Sequence, residues 1–172
     1  MMALQPFAET GVPMRVMAGA QRLAGELRLR YTLQGDLASL RLPAHATTMA
    51  RADRLWEATC FECFFAVVKG KEYWEVNLSP AGAWNVYAFA DYRQGMREET
   101  AIQRLAVHCR GGDDFVTVST VIPLPPTVAN AGLAVGLSAV SKERAGETGY
   151  WALAHPAAQP DFHHRRGFVL SL

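Results

Sequence analysis

Trp56-Glu-Ala-Thr-Cys60-Phe-Glu62-Cys-Phe-Phe-Ala-Val-Val68, then Lys69-Gly70-Lys71, then Glu72-Tyr-Trp-Glu75-Val-Asn77-Leu-Ser79-Pro-Ala-Gly82-Ala-Trp84, is the stretch that decides the fold. Two runs rich in aromatic and β-branched residues flank a turn that contains glycine, the pattern of a β-hairpin. A two-residue turn drawn from Lys69-Gly70-Lys71 would set its register. That register puts Cys60, Glu62, Phe64 and Ala66 on one face with Tyr73, Glu75, Asn77 and Ser79. Phe61, Cys63, Phe65, Val67, Trp74, Val76 and Leu78 fall on the other face, which reads as pure core. Carboxylates and an amide on an apolar strand cost free energy unless they are paired or used. The mixed face is therefore where a ligand is expected.

Working outward, alternation continues. Leu27, Leu29, Tyr31 and Leu33 alternate with Arg28, Arg30 and Thr32. The sequence predicts a half-buried strand there, a turn at Gly35-Asp36 and a partner strand over 37–42. Residues 44–55 read as a loop or short helix with Arg51, Asp53 and Arg54 exposed. Further strands are expected over 84–89, 102–109, 115–122, 133–140, 150–154 and 168–172, with a polar loop at 141–149. No amphipathic helix of credible length is evident. About ten short strands at regular spacing predict an all-β chain: a jelly-roll-type β-sandwich of two antiparallel sheets, one domain over residues 1–172.

The bulk numbers exclude several classes. Among 172 residues, 50% are hydrophobic and 19% charged, with a formal net charge of +1. That balance offers nucleic acid or an anionic membrane no electrostatic footing, and no apolar run is long enough to span a bilayer. Residues 1–15 lack a basic segment followed by an apolar stretch, so the expected location is cytoplasmic. Cys60 and Cys63 sit on opposite faces of one strand, so free buried thiols are expected rather than a zinc or redox loop.

A second unusual region is Tyr150-Trp151-Ala-Leu-Ala-His155-Pro156 followed by Pro160-Asp161-Phe162-His163-His164-Arg165-Arg166. It gathers three of the five histidines in loops, which are common binding positions on a rigid sheet.

Four segments together carry a resemblance. They are Trp56 to Glu62, the Glu75-Val-Asn-Leu-Ser-Pro-Ala-Gly82 strand and turn, Asp91-Tyr92-Arg93, and the Pro160-Asp-Phe-His-His164 ending. Over residues 15–172 the chain resembles DOMON-like proteins related to the family-nine carbohydrate-binding modules. The resemblance implies a sandwich with a groove on its concave face, where two aromatic rings stack on a sugar. Trp56 and Phe162 match those rings, and Glu62 matches the strand carboxylate. Glu75 stands where the family carries a basic side chain, so the sequence departs from the family's pattern there, and the loop amide falls near Gln159.

The residues by themselves agree in kind: sugars offer C–H faces to rings and hydroxyls to carboxylates and amides. The expected ligand site is thus Trp56, Glu62, Glu75, Asn77, Trp151, His155, Phe162 and His163, with a small sugar-like or polyol ligand, no turnover and no cofactor. The alternative is a metal- or haem-dependent enzyme or redox protein built on the histidine-rich C-terminal loop. Glu62 and Glu75 as a glycosidase carboxylate pair is a further alternative, as is structural pairing of Glu62 with Arg93 or Arg54.

Overall fold

The computed structural model describes residues 1–43 and 49–172. Among them are thirteen strands: β1 Met2–Ala3, β2 Gln5–Pro6, β3 Met14–Leu23, β4 Glu26–Gly35, β5 Cys60–Val67, β6 Tyr73–Leu78, β7 Trp84–Phe89, β8 Arg97–Glu98, β9 Val107–Gly111, β10 Phe115–Pro123, β11 Leu133–Lys142, β12 Thr148–Ala152 and β13 Leu170–Ser171. The described helical elements are three short 3-10 turns, at Leu37–Ser39, Leu55–Glu57 and Arg165–Gly167. One sheet runs β1-β3-β4-β10-β9 and the other β2-β12-β11-β5-β6-β7-β8, with β13 also on β11. Every strand ladder is antiparallel. The expected all-β sandwich of two antiparallel sheets is what the chain forms.

Period-two burial welds the sheets together. Leu27, Leu29, Tyr31 and Leu33 of β4 are buried against Phe61, Cys63 and Phe65 of β5 and Trp74, Val76 and Leu78 of β6. Tyr31 stacks on Phe61 at 5.2 Å between ring centroids. Its hydroxyl donates to the Glu62 carbonyl at 2.6 Å, which ties the smaller sheet to the strand that carries the site.

The β5–β6 register is as the faces require: Glu62 lies opposite Asn77 and Phe64 opposite Glu75. The connection is longer than the two-residue turn expected: the last β5–β6 pair is Phe65 opposite Trp74, which leaves the eight residues from Ala66 to Tyr73 between them, and a turn is closed by Gly70 N–H to the Val67 carbonyl at 2.9 Å. Eight, like two, is an even number, so the parity that assigns faces is kept.

Four expectations are corrected. β4 pairs with β3 and β10, not with 37–42. Asp36 accepts from Ala38 N–H at 3.1 Å and folds that segment into a 3-10 turn, so it leaves the sheet. Ile102 and Leu105 are buried without joining a strand, which begins only at Val107. The polar loop at 141–149 is smaller than read, because Lys142 pairs with Thr148. Arg51 is not a free surface group: its guanidinium bonds the Asn85 side chain and packs 4.5 Å from the Trp84 ring. Of the expected 44–55 loop or helix, residues 44–48 lie outside the described residues.

The β3–β4 hairpin closes through Ala24-Gly25, with Leu23 opposite Glu26. Both turn residues have positive φ, 45° and 83°. A two-residue hairpin loop of this kind favours Asn or Gly at its first position, and alanine there is strained. Ala24→Asn is expected to stabilise the protein by roughly 1 kcal/mol, read as a higher urea midpoint at unchanged slope; a lower midpoint would contradict this account of the turn.

The outer face of the larger sheet is not solvated. Phe64, Ala66, Tyr73, Tyr87, Phe89 and Phe168 form a second cluster there, with Trp56 and Phe162 packed against it. The chain after β12 lies over this face. Gly136 permits the approach: a Cβ there would meet Phe168 at 3.1 Å and the Gly167 carbonyl at 3.2 Å.

Candidate functional site

A cavity of about 580 Å³ opens on this outer face. β5 and β6 supply its floor, the 3-10 turn at Leu55–Glu57 one wall, and the segment Pro160 to His163 the other. Trp56 and Phe162 therefore bound the same space, with Glu62 and Glu75 beneath them. Trp56 is held edge-on to Tyr87 at 5.7 Å. Phe162 is held by Phe64 at 6.4 Å and Tyr150 at 6.0 Å.

The two floor carboxylates differ in their surroundings. Glu75, 4% exposed, accepts from Asn77 Nδ2 at 2.8 Å, and its other oxygen lies 3.7 Å from His163 Nε2. Burial pushes it up to about 7, with the Asn77 hydrogen bond and the Arg93 charge acting the other way. Glu62, 3% exposed, has no hydrogen-bond partner and no cation within ion-pair distance among the described residues. Burial, and then the charge of Glu75, hold it well above the usual carboxylate range. Neither Arg93 nor Arg54 neutralises Glu62. Arg93 pairs with Asp161 at 2.9 Å, and Arg54 with Glu57.

His163 is a neutral part of the wall. Burial, aided by the Arg93 charge, lowers it to about 4. Its Nδ1 lies 2.8 Å from the Tyr73 hydroxyl, which accepts from Arg93 N–H at 3.1 Å. With Tyr73 donating to Nδ1, the ring proton sits on Nε2, toward Glu75. Asp161 also accepts from Tyr92 and from the His163 N–H, so this loop is pinned from three sides.

Of the eight residues expected at the site, Trp56, Glu62, Glu75, Phe162 and His163 line the cavity. Asn77 is wholly buried behind Glu75 and acts through it. Trp151 is not at the site: it points into the inter-sheet core, its Nε1 donating to Ser141 at 3.0 Å. Its neighbour Tyr150 lines the cavity instead. His155 is held away, bonded to the Gln5 carbonyl at 2.9 Å and edge-on to Phe7. Gln159 is exposed and outside the lining. Among the described residues, no three His, Cys, Asp or Glu side chains come together as metal ligands.

Sequence reading missed Lys142, Val140, Phe89 and Met96, all in the lining. Lys142 and Val140 follow from parity: Ser138 lies opposite Glu62, so even-numbered β11 residues share its face. The Lys142 ammonium is bonded to the Thr148 hydroxyl at 2.8 Å.

No protein-family model matches this chain, and no curated protein matches it in sequence. Solved structures do. A candidate carbohydrate-binding protein from Bacteroides uniformis superposes with a TM-score of 0.70 at 16% identity, covering 98% of this chain and 84% of the other. A family-nine carbohydrate-binding module from Caldicellulosiruptor kristjanssonii, solved with cellotriose, gives 0.58 at 8% identity over 91% of this chain and 73% of the module. The module solved with glucose gives 0.53 at 10% identity over 89% and 72%. At these identities the likeness is one of fold: the chain shares the β-sandwich of the family-nine carbohydrate-binding modules.

Proposed function

We propose that the protein binds a small sugar-like or polyol ligand in the 580 Å³ cavity, without converting it. The observation that carries the reading is the convergence of Trp56 and Phe162 over Glu62 and Glu75 around one open space. Rings at the sides suit the C–H faces of a sugar, and carboxyl groups on the floor suit its hydroxyls. The volume falls within the range of small-molecule sites, roughly 300–1,000 Å³. The module neighbours, solved with cellotriose and glucose, support the reading through a shared fold. A relation to DOMON-like proteins and a cytoplasmic ligand belong to the same proposal.

A thermal-shift and calorimetric panel of glucose, cellobiose, amino sugars, sugar acids and polyols tests it. At a hundredfold excess over Kd, a ligand adds about 2.7 kcal/mol, a rise of roughly 5–11 °C for a chain of this size. The sugar should be recovered unchanged. No shift with any member of the panel, or recovery of a cleaved product, would overturn the proposal.

A further inference from the structure

We infer that the ligand carries a cation: the Glu62–Glu75 floor is built to receive a primary ammonium on a polyhydroxylated, sugar-like molecule. The inference rests on the proposed sugar-binding role of this cavity and names the class of ligand within it.

Two carboxyl groups, each less than 5% exposed, face one cavity from adjacent strands. Buried acidic groups are ordinarily offset by a protein cation in contact. Here none of the described residues provides one. Arg93 and Lys142 line the same cavity, but Arg93 is committed to Asp161 at 2.9 Å and Lys142 to Thr148 at 2.8 Å. The group nearest Glu75 with any basic character is His163 at 3.7 Å, and burial keeps it neutral.

Glu62 is the sharper half of the observation. It lines the cavity, is almost wholly buried, and lacks a hydrogen-bond partner among the described residues. Its cross-strand neighbour Ser138 has a buried hydroxyl that is also unpartnered. Glu75 is half satisfied by Asn77. The floor thus presents acceptor capacity and carboxyl groups that burial keeps from ionising until a cation is seated on them, where a neutral sugar would offer only hydroxyl donors. An ammonium brings three N–H donors and the positive charge that favours the ionised carboxylates beneath it. The rings of Trp56, Phe89, Tyr150 and Phe162 around the same space add cation–π attraction. An acidic sugar would meet repulsion from the same floor.

Calorimetric titration with glucosamine, glucose, N-acetylglucosamine, glucuronate and putrescine at pH 7 decides the matter. Glucosamine is expected to bind at least tenfold tighter than glucose or N-acetylglucosamine, with glucuronate weakest. Putrescine, an amine without the polyol body, should bind more weakly than glucosamine. Glu62→Gln should abolish the preference for glucosamine over glucose, read as the ratio of the two affinities in the variant against the same ratio in the parent. Lys142→Ala, a half-buried position outside the floor, removes a competing positive charge and should sharpen the preference. Equal affinity for glucosamine and glucose, or tighter glucuronate, overturns the ammonium inference and leaves the sugar reading standing. Tighter putrescine than glucosamine overturns the polyol half of it. Silence with every sugar overturns both.

Discussion

Trp56→Ala is expected to weaken binding of the proposed sugar ligand at least thirtyfold, and Phe162→Ala to do the same, because each removes one wall of the cavity. Truncating a central aromatic anchor costs about 2 kcal/mol or more, which is about thirtyfold in Kd. Fluorescence separates this effect from unfolding. Of the four tryptophans, Trp74, Trp84 and Trp151 are buried in the core between the sheets, and Trp56 alone lines the cavity. Ligand should therefore change the emission of Trp56 and leave the others nearly constant. Trp56→Phe should keep much of the affinity and lose most of the signal. A full signal in Trp56→Phe, or unchanged affinity in both alanine variants, would remove the rings from the site.

Glu75→Gln gains stability relative to the parent as pH rises. In the folded protein Glu75 titrates at about 7, against an ordinary 4.5. Between those values the folded chain keeps a proton that the unfolded chain has lost, so stability falls as pH rises through that window and the loss is complete above it. The interval corresponds to about 3 kcal/mol, and Glu62 adds to it in the same direction. His163 works with the opposite sign. It is lowered from 6.5 to about 4, so its neutral burial favours folding above pH 6.5 and that advantage is lost as pH falls toward 4. Glutamine removes the first contribution and retains the second, and it still accepts from Asn77. Urea denaturation at pH 4 and pH 8 should show the stability difference between variant and parent shifting by about 3 kcal/mol in favour of the variant at the higher pH. A pH-independent difference would mean that the Glu75 carboxyl is solvated.

Five of the eight residues expected at the candidate site line one cavity, and for the floor pair the reason is parity. Once β5 and β6 were read as a hairpin with an even-numbered connection, Glu62 and Glu75 had to share a face; an odd-numbered turn would have set them on opposite faces. The same logic misplaced Trp151. Adjacent residues of β12 face opposite ways, and only its pairing with β11 reveals that Tyr150 faces the site and Trp151 the core. Strand β3 escaped notice because Met14-Arg-Val-Met-Ala-Gly-Ala-Gln-Arg-Leu23 has a single β-branched residue, and its Ala24-Gly25 turn lacks the usual Asn or Asp. Burial of β3 comes from its neighbours, β1 and β4, not from its own composition. His155 was grouped with His163 by nearness in sequence, yet it is anchored to the N-terminal segment at Gln5.

A second space, about 520 Å³, lies on the other sheet beside Arg30, His108 and Arg110. It gives the central claim a rival location. The most direct measurement is a crystal structure of the protein with the sugar that binds most tightly in the panel. The account expects the ring of that sugar between Trp56 and Phe162, with a polar group in contact with Glu62. A fully occupied ligand at Arg30 and Arg110, with nothing between Trp56 and Phe162, would contradict it.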